Sequence, residues 1–234
     1  MVRGDSPAPE PAHGAEFACT AVLFDLDGVL VFSAESVRRS WTAWAIDHRI
    51  EPETVLAAAV GCRSVDTIRH VAPQLDAEAE AVLLESGQAL DVADVTAAPG
   101  ARALLDGLAA HEWAVVTSGS SALAAARLAA AGLPEPRVFV TAERVAEGKP
   151  HPAGYLLAAE LMAQPAAGCL VVEDAPAGVE AARRAGMRVI GIANEADPAT
   201  LAAADTVAGV FAELRVRRPD SAGLVVTVAG AGPA

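Results

Sequence analysis

Apolar runs of strand length alternate with helical segments along most of this chain, and this alternation restricts the fold more than any other feature. Five such runs are found, at 21–24, 113–117, 138–140, 169–172 and 188–192. The stretches between the last four have the composition and spacing of helices. Several runs are apolar throughout, which is typical of strands buried on both faces. The pattern predicts an α/β fold, a Rossmann-like doubly wound parallel sheet with helices on both sides.

The first apolar run is separated from the other four by a segment of different character. A helix is predicted from Ser33 to about His48, and no strand-like alternation occurs from Pro52 to Asp94, so a small all-helical insert is expected after the first strand. For a chain of 234 residues, one main domain with a smaller insert is the natural division. The expected parts are a mobile N-terminal tail at 1–16, a core at 17–32 and 98–216, the insert at 33–97, and a C-terminal tail or added edge strand at 217–234.

Composition and charge limit the partners of the protein. The 30 acidic and 17 basic residues give a formal net charge of −13, which argues against binding to nucleic acid or to an anionic membrane. A phosphorylated substrate would be repelled at long range, so an anion site must be made locally by a metal, a lysine or backbone amides. Three cysteines without a C-x-x-C pair suggest neither disulfides nor a zinc site. We expect a cytoplasmic protein without a signal peptide, with a monomer favoured.

The first strand ends in two carboxylates one residue apart, Asp25 and Asp27, which are followed by the turn residue Gly28. Side chains alternate along a strand, so the two carboxylates share a face if the extended geometry continues to Asp27. Two like charges that close require a cation or a shared proton. A plainer interpretation, in which the aspartates only favour a turn and cap the strand, stays open on this motif alone.

Further polar residues follow the later strands or lie between them. Thr117 and Ser118 come directly after one strand, Glu173 and Asp174 come after another, and Lys149 lies on a connection. In an open parallel sheet, ligands bind outside the carboxyl ends of the strands. We therefore expect these residues to converge with the two aspartates of the first strand at one edge of the sheet.

The chemistry that this set of residues suits is phosphoryl transfer. Asp25 and Asp174 would supply hard oxygen ligands for Mg²⁺, and one oxygen of Asp25 could attack phosphorus to give an aspartyl-phosphate. Asp27 would protonate the leaving alcohol and then activate water. Thr117, with the amides at the start of the next helix, would hold phosphoryl oxygens, and Lys149 would balance the clustered negative charge.

Four motifs, in order, resemble those of the haloacid dehalogenase-like hydrolases. They are Asp25-Leu26-Asp27-Gly28-Val29-Leu30, Thr117-Ser118-Gly119, Gly148-Lys149-Pro150 and Glu173-Asp174-Ala175-Pro176-Ala177-Gly178. The resemblance covers about residues 20–214 and implies Mg²⁺ dependence and a helical cap that closes over the substrate. It also implies a backbone contact of Asp27 to the metal, and substrate contacts at Gly28, Ser118 and Gly119. Because the dehalogenases of the family lack the second aspartate, Asp27 points to a phosphatase or a phosphomutase.

Two further stretches refine the resemblance. The G-x-R-S-x-D-T-I run that begins at Gly61 and the E-D-A-P-A-G-V loop are most similar to those of sugar- and polyol-phosphate phosphatases. By that analogy the substrate is a small phosphorylated metabolite, and Arg63 reaches from the cap into the site. The chain departs from the usual family pattern at Phe32, Val60 and His151, which leaves the substrate and the closure of the cap open.

The sequence thus predicts a Mg²⁺-dependent phosphatase that acts on a small sugar or polyol phosphate. A phosphomutase of the same fold is the nearest alternative, and a non-catalytic binding or regulatory homologue is a second one, motivated by Phe32 and Val60. The intact catalytic motifs argue against the second alternative. The role of Glu173 also stays open, because this carboxylate either contacts the metal, directly or through water, or orients Asp174.

Overall fold

The computed structural model describes residues 14–194, 197–219 and 223–229. Within these ranges, with strands numbered along the chain, one parallel sheet contains β2 (Ala21–Phe24), β5 (Trp113–Val116), β6 (Phe139–Val140), β7 (Cys169–Glu173), β8 (Arg188–Ile192) and β9 (Thr206–Ala208). Their order across the sheet is β6-β5-β2-β7-β8-β9. All neighbouring strands are parallel. The five apolar runs of the sequence all form strands of this sheet, so the predicted α/β fold is confirmed.

Helices cover both faces of this sheet. Alternate residues of β2 point to opposite faces, so Val22 and Phe24 join one apolar cluster while Ala21 and Leu23 join another. Four helices pack on these clusters: α5 (Ala101–Asp106), α6 (Ser121–Ala130), α7 (Ala153–Leu161) and α8 (Pro176–Arg184). Residues of α5 and α6 belong to the first cluster, and residues of α7 and α8 belong to the second. The sheet is therefore doubly wound, as the sequence predicts.

A second, antiparallel sheet lies beside the first in the described residues. It consists of β1 (Glu16–Cys19), β10 (Leu214–Arg217) and β11 (Leu224–Val228), in the order β1-β11-β10. The strand composition at 224–228 was expected to give a tail or an added edge strand, whereas β11 is the middle strand of this separate sheet. Of the predicted tail at 1–16, residues 1–13 lie outside the described ranges, and Glu16 begins β1.

The segment between β2 and β5 is helical, as predicted. It contains α1 (Ala34–Asp47), α2 (Pro52–Ala59), α3 (Ser64–Val71) and α4 (Ala77–Leu90). These helices have an apolar cluster of their own that includes Trp41 and Trp44, whose rings lie edge to face with centroids 5.5 Å apart. Two short strands that the sequence did not reveal, β3 (Val31–Phe32) and β4 (Thr96–Ala97), pair antiparallel where the chain enters and leaves the helices. The division into core and insert stays a prediction.

None of the helices in the described ranges has both the length and the apolar composition that a bilayer crossing requires. The cytoplasmic location and the monomeric state stay predictions.

Candidate active site

The carboxyl end of β2 directs its two aspartates to different partners. The strand ends at Phe24, and the amide of Asp25 donates to Val172 O of β7 at 3.0 Å. Asp27 lies outside β2 and forms an isolated bridge with Val31. Asp25 contacts a buried lysine and Asp27 contacts a buried arginine. Both still line one pocket of about 460 Å³ between the carboxyl edge of the sheet and the helical insert.

Gly28 makes the turn after the two aspartates, and its lack of a side chain is a geometric requirement. Its φ of +76° lies in the left-handed region, which disfavours other residues. A Cβ built on Gly28 would lie 1.7 Å from Asp174 Oδ2. Asp174 therefore packs directly against this turn. A turn that only capped the strand would not require such a close approach.

Three carboxylates and one ammonium group form a buried cluster at the ends of β2 and β7. Ligand atoms of Asp25, Glu173 and Asp174 all lie within 4.8 Å of one another. Lys149 Nζ lies 2.8 Å from Asp25 Oδ1 and 2.6 Å from Glu173 Oε1. The predicted convergence of these four residues is thus what the structure shows, although their individual roles stay predictions.

The electrostatics of this cluster follow from burial and from the excess of carboxylates. Burial raises the pKa of Asp25 to about 7, with Lys149 opposing the shift and Glu173 adding to it. Burial also raises the pKa of Asp174 well above its usual range, and the negative charge of Asp25 contributes further. For Lys149, burial alone lowers the pKa, but Asp25 and Glu173 outweigh that effect, so the pKa lies above its ordinary value. When its carboxylates are ionised, the cluster therefore carries more negative charge than Lys149 balances.

A divalent cation fits this arrangement. Three ionised carboxylates and one ammonium leave a formal charge of two negative units, which one divalent ion would balance. Carboxylate oxygens are the hard ligands that Mg²⁺ and similar ions prefer. The residues present thus fit a divalent metal ion between Asp25 and Asp174.

Glu173 is held by four donors. The Tyr155 hydroxyl donates to its Oε1 at 2.6 Å, Lys149 contacts the same oxygen, and the amides of Asp174 and Ala175 donate to Oε2 at 3.1 and 3.3 Å. A carboxylate with both oxygens engaged in this way is suited to orient Lys149 and the loop that carries Asp174. Of the two interpretations of Glu173, these contacts favour the orienting one.

The second motif lies at the end of β5 and contacts the insert. Thr117 is 6% exposed and its Oγ1 accepts from the amide of Gly119 at 3.1 Å. The Ser118 hydroxyl donates to Gly61 O at 2.9 Å, so this serine joins the core to the insert. Gly61, with φ +70°, approaches so closely that a Cβ there would lie 2.6 Å from Ala175 Cβ. All three motif residues line the pocket, and their contacts with a substrate stay a prediction.

The backbone amides at the start of α6 have other hydrogen-bond partners than the sequence predicted. They were expected to hold phosphoryl oxygens, but the amide of Ser120 donates to Glu85 Oε2 at 2.8 Å and that of Ser121 donates to Glu143 Oε1 at 2.9 Å. A helix N-terminus attracts negative charge, and two carboxylates of the chain already occupy this one. These two amides are therefore engaged by the chain itself, while the role of the Thr117 hydroxyl in holding phosphoryl oxygens stays a prediction.

Arg63 lies at the boundary between insert and core. It makes a two-point contact with Asp66, at 2.6 and 3.0 Å, and donates to Val145 O and Ala146 O at 2.9 and 3.0 Å. It is not among the described residues that line the 460 Å³ pocket. Arg63 was expected to reach from the cap into the site, whereas its guanidinium contacts Asp66 and two carbonyls of the chain at 145–146. Its contact with substrate stays a prediction.

The departures from the family pattern lie away from the carboxylate cluster. Phe32 is 37% exposed on β3, and Val60 is 56% exposed at the rim of the pocket. The His151 ring accepts from the amide of Ala153 at 3.3 Å, near the start of α7. Among the described residues, none of these three forms a hydrogen bond or an ion pair with Asp25 or Asp27.

Three polar residues that contact Asp27, directly or through one other side chain, were missed in the sequence. Arg127 Nη1 lies 2.6 Å from Asp27 Oδ2, and Arg127 Nη2 donates to Gln88 Oε1 at 3.1 Å. The Ser33 hydroxyl donates to Asp27 Oδ1 at 2.6 Å. A signal for Arg127 was present, because it is the one charged residue of the alanine- and leucine-rich helix α6.

A family model described as haloacid dehalogenase-like hydrolase matches residues 19–186. The chain belongs to the haloacid dehalogenase-like hydrolase family. Hexitol phosphatase A of Escherichia coli (strain K12) is 43% identical over 213 residues, which are 89% of this chain and 99% of that protein. 2-Deoxyglucose-6-phosphate phosphatase 1 of Saccharomyces cerevisiae (strain ATCC 204508 / S288c) is 32% identical over 238 residues, covering 92% of this chain and 97% of that protein.

The same fold is found in solved structures of other proteins. A hydrolase from Pseudomonas syringae superposes with a TM-score of 0.72 at 27% identity, covering 82% of this chain and 94% of that one. The predicted membership of the haloacid dehalogenase-like hydrolases is confirmed. With phosphatases among its relatives, the prediction of a phosphoric monoester hydrolase is confirmed as well.

Proposed function

We propose that the protein is a Mg²⁺-dependent phosphatase that hydrolyses a small sugar or polyol phosphate, with hexitol phosphates as the first candidates. The observation that carries the proposal is the buried cluster of Asp25, Glu173, Asp174 and Lys149, of which Asp25 and Asp174 line the pocket beside the helical insert. The substrate class is supported by the names of two relatives, a hexitol phosphatase and a 2-deoxyglucose-6-phosphate phosphatase.

Asp25 is the nucleophile in this proposal. Its Oδ1 faces Lys149, so Oδ2 attacks phosphorus, the bond from phosphorus to the alcohol oxygen breaks, and an aspartyl-phosphate forms. The leaving alcohol takes a proton from the Asp27 carboxyl. In the second half, Asp27 removes a proton from water, whose oxygen attacks phosphorus and releases inorganic phosphate and free Asp25. The two aspartates thus return to their starting states.

The remaining residues bind and orient. Lys149 holds Asp25 and offsets the charge that develops on the phosphoryl oxygens, while the Thr117 hydroxyl and the Ser118–Gly119 segment border the phosphoryl group. Mg²⁺, held by the Asp25 and Asp174 carboxylates and by the backbone carbonyl of Asp27, would neutralise phosphate charge and act as a Lewis acid. Glu173 keeps the loop of Asp174 in place through its four donors.

The pocket supports a polar substrate of modest size. Its volume of about 460 Å³ lies at the lower end of the range for small-molecule sites. Gln88 and Glu85 of the insert face the same space as Trp41 and Leu56, so hydroxyl groups and the carbon chain of a polyol both find partners. We propose that 33–97 acts as a cap over a catalytic core formed by 17–32 and 98–216, as the two-strand connection of β3 and β4 suggests.

The test is an assay of phosphate release on hexitol, sugar, glycerol, glycolate and nucleotide phosphates, with Mg²⁺ and with a chelator. We expect Mg²⁺-dependent release that is fastest with a hexitol or sugar phosphate, and none with the Asp25→Asn variant. Transfer of the phosphoryl group to a sugar phosphate, with no net release, would instead support the phosphomutase alternative. Equal rates for wild type and Asp25→Asn on every substrate would contradict both enzymatic functions.

A further inference from the structure

Arg127 is a buried cation in a helix that is otherwise built from small and apolar residues. Among the ten residues of α6, it is the one that carries a charge. The whole residue is only 3% exposed. Burial of a guanidinium costs free energy that its partners must offset, and an apolar residue of similar size is often as stable in such a place. The partners of Arg127 therefore indicate what this residue does.

The guanidinium joins the catalytic loop of the core to the insert. Its Nη1 lies 2.6 Å from Asp27 Oδ2, in the loop after β2, and its Nη2 donates at 3.1 Å to Gln88 Oε1, on α4. Arg127 Nε is buried without a partner among the described residues. An arginine retained only for stability would be expected to satisfy that donor as well. Its two contacts are instead directed to side chains that line the pocket.

The other oxygen of Asp27 is also held from the insert. Ser33 is the N-cap residue of α1, where a serine hydroxyl commonly accepts a bond from the helix backbone. Here it makes no such cap and instead donates to Asp27 Oδ1 at 2.6 Å. Ser33 precedes the first helix of the insert and Gln88 lies near the end of the last. Asp27 Oδ1 is thus bonded directly to Ser33 at the start of the insert, and Asp27 Oδ2 is linked through Arg127 to Gln88 near its end.

We propose that Arg127 is a positioning residue that couples the placement of helix α4 to the orientation of the Asp27 carboxylate. Gln88 fixes the guanidinium when α4 lies against α6, and the guanidinium in turn fixes the plane of the carboxylate together with Ser33. An acid/base group must lie within hydrogen-bonding distance of the oxygen that it protonates, so its orientation controls the rate. This proposal rests on the acid/base role of Asp27 that was proposed above.

The test compares variants of the full-length enzyme with the best substrate of the phosphatase assay. Arg127→Met should lower kcat about 10- to 100-fold, because the carboxylate is misplaced, with KM within about threefold of wild type. Gln88→Leu should lower kcat less, by about 3- to 10-fold, since Asp27 keeps its contact with Arg127. The double variant should be no slower than Arg127→Met alone, because both substitutions break one chain of contacts. Arg127→Lys, which keeps the charge but cannot hold two partners at once, should recover only part of the rate.

Controls separate this role from a general loss of structure. Arg102→Met removes an exposed arginine that pairs with Asp106 on α5, and we expect no change in kcat. In the Asp27→Asn background, Arg127→Met should lower kcat by less than about twofold, because there is no acid/base group left to position. Thermal melting and circular dichroism establish that each variant is folded. If Arg127→Met does not fold, the same comparison is made with Gln88→Leu. Its effect on kcat should then be present in the wild-type background and absent in the Asp27→Asn background.

Two results would overturn the proposal. One is a raised KM with unchanged kcat in Arg127→Met, which would make Arg127 a substrate ligand. The other is an equal loss of kcat in the wild-type and Asp27→Asn backgrounds, which would mean that Arg127 acts without Asp27. Failure of the proposed function has a different signature, because wild type itself would then release no phosphate from any substrate in the panel.

Discussion

Asp25 and Asp27 lie one residue apart, yet they belong to two differently built regions. The partners of Asp25 all belong to the predicted core: Lys149, Glu173 and Asp174 lie at or near the carboxyl ends of strands of one sheet. The partners of Asp27 are divided, with Arg127 on a helix beside the sheet and Ser33 at the start of the insert. Asp25, the proposed nucleophile, is therefore held by residues of the predicted core, whereas Asp27, the proposed acid/base residue, also contacts the insert.

This difference indicates which contacts of the candidate site depend on the position of the insert and which do not. The side-chain hydrogen bonds and ion pairs of Asp25 and Glu173 run to residues outside the insert, so we expect the carboxylate cluster to keep its geometry when the insert moves. The surroundings of Asp27 include two contacts that are lost if α1 or α4 moves away. If Asp25 and Asp27 have the roles proposed above, bond formation at Asp25 does not depend on the insert, whereas proton transfer at Asp27 becomes efficient only with the insert in place. Substitutions in the two regions should then have different kinetic signatures.

The largest effect is expected at the nucleophile. Asp25→Asn removes the attacking oxygen, so kcat should fall by about 10⁴-fold or more. The measurement is Mg²⁺-dependent release of phosphate, with circular dichroism to show that the buried amide is tolerated beside Lys149. Activity above about 1% of wild type would mean that water attacks phosphorus directly, and that Asp25 only binds.

A smaller loss is expected at the acid/base residue. Asp27→Asn should lower kcat by about 10²- to 10⁴-fold, because the leaving alcohol receives no proton and water is not activated. The inhibition constant of vanadate, a phosphate analogue that reports binding, should change little since the cluster around Asp25 is intact. Weak vanadate binding together with normal turnover of bound substrate would contradict this role.

The partners of Asp25 could be predicted from the sequence better than the partners of Asp27. Residues of the carboxylate cluster follow continuous apolar runs, and parallel strands bring their carboxyl ends to one edge, so Asp25 and Asp174 could be placed together from pattern alone. Arg127, one of the two side-chain partners of Asp27, is 100 residues away on a helix. Helical spacing gives the face on which Arg127 lies, but it does not give the residue that this face meets.

Other misses have the same physical origin. Strand β1 pairs with β11, from Glu16 to Thr227, across nearly the whole chain, and four-residue strands carry little periodicity of their own. The occupied amides of Ser120 and Ser121 were missed because a motif shows which donors exist, not which side chains reach them. Glu85 and Glu143, which accept those bonds, come from a separate helix and a separate loop.

Binding of Mg²⁺ should distinguish the two regions without any assay of activity. At about 100 times its dissociation constant, a ligand stabilises a protein by about 2.7 kcal/mol, which corresponds to a rise in Tm of about 5 to 10 °C for a chain of this size. The rise should be lost in Asp174→Asn, which removes a ligand, and retained in Arg127→Met, which leaves the cluster intact. Calorimetry with and without a chelator provides the measurement. An equal rise in both variants would place the metal outside the cluster.

The smallest effect is expected at Phe32, between the two regions. The residue lies on β3 opposite Thr96, where its side chain is partly exposed and contacts neither aspartate. Phe32→Asp, which introduces the carboxylate usual in the family, should change the free energy of unfolding by only about 0.5 kcal/mol and kcat by less than about threefold. Chemical denaturation and the phosphatase assay measure both quantities, with Phe32→Asn as the uncharged control. A gain in kcat of tenfold or more in Phe32→Asp but not in Phe32→Asn would show that a charge on β3 controls the position of the insert. The contacts of Asp27 would then not be sufficient to set that position.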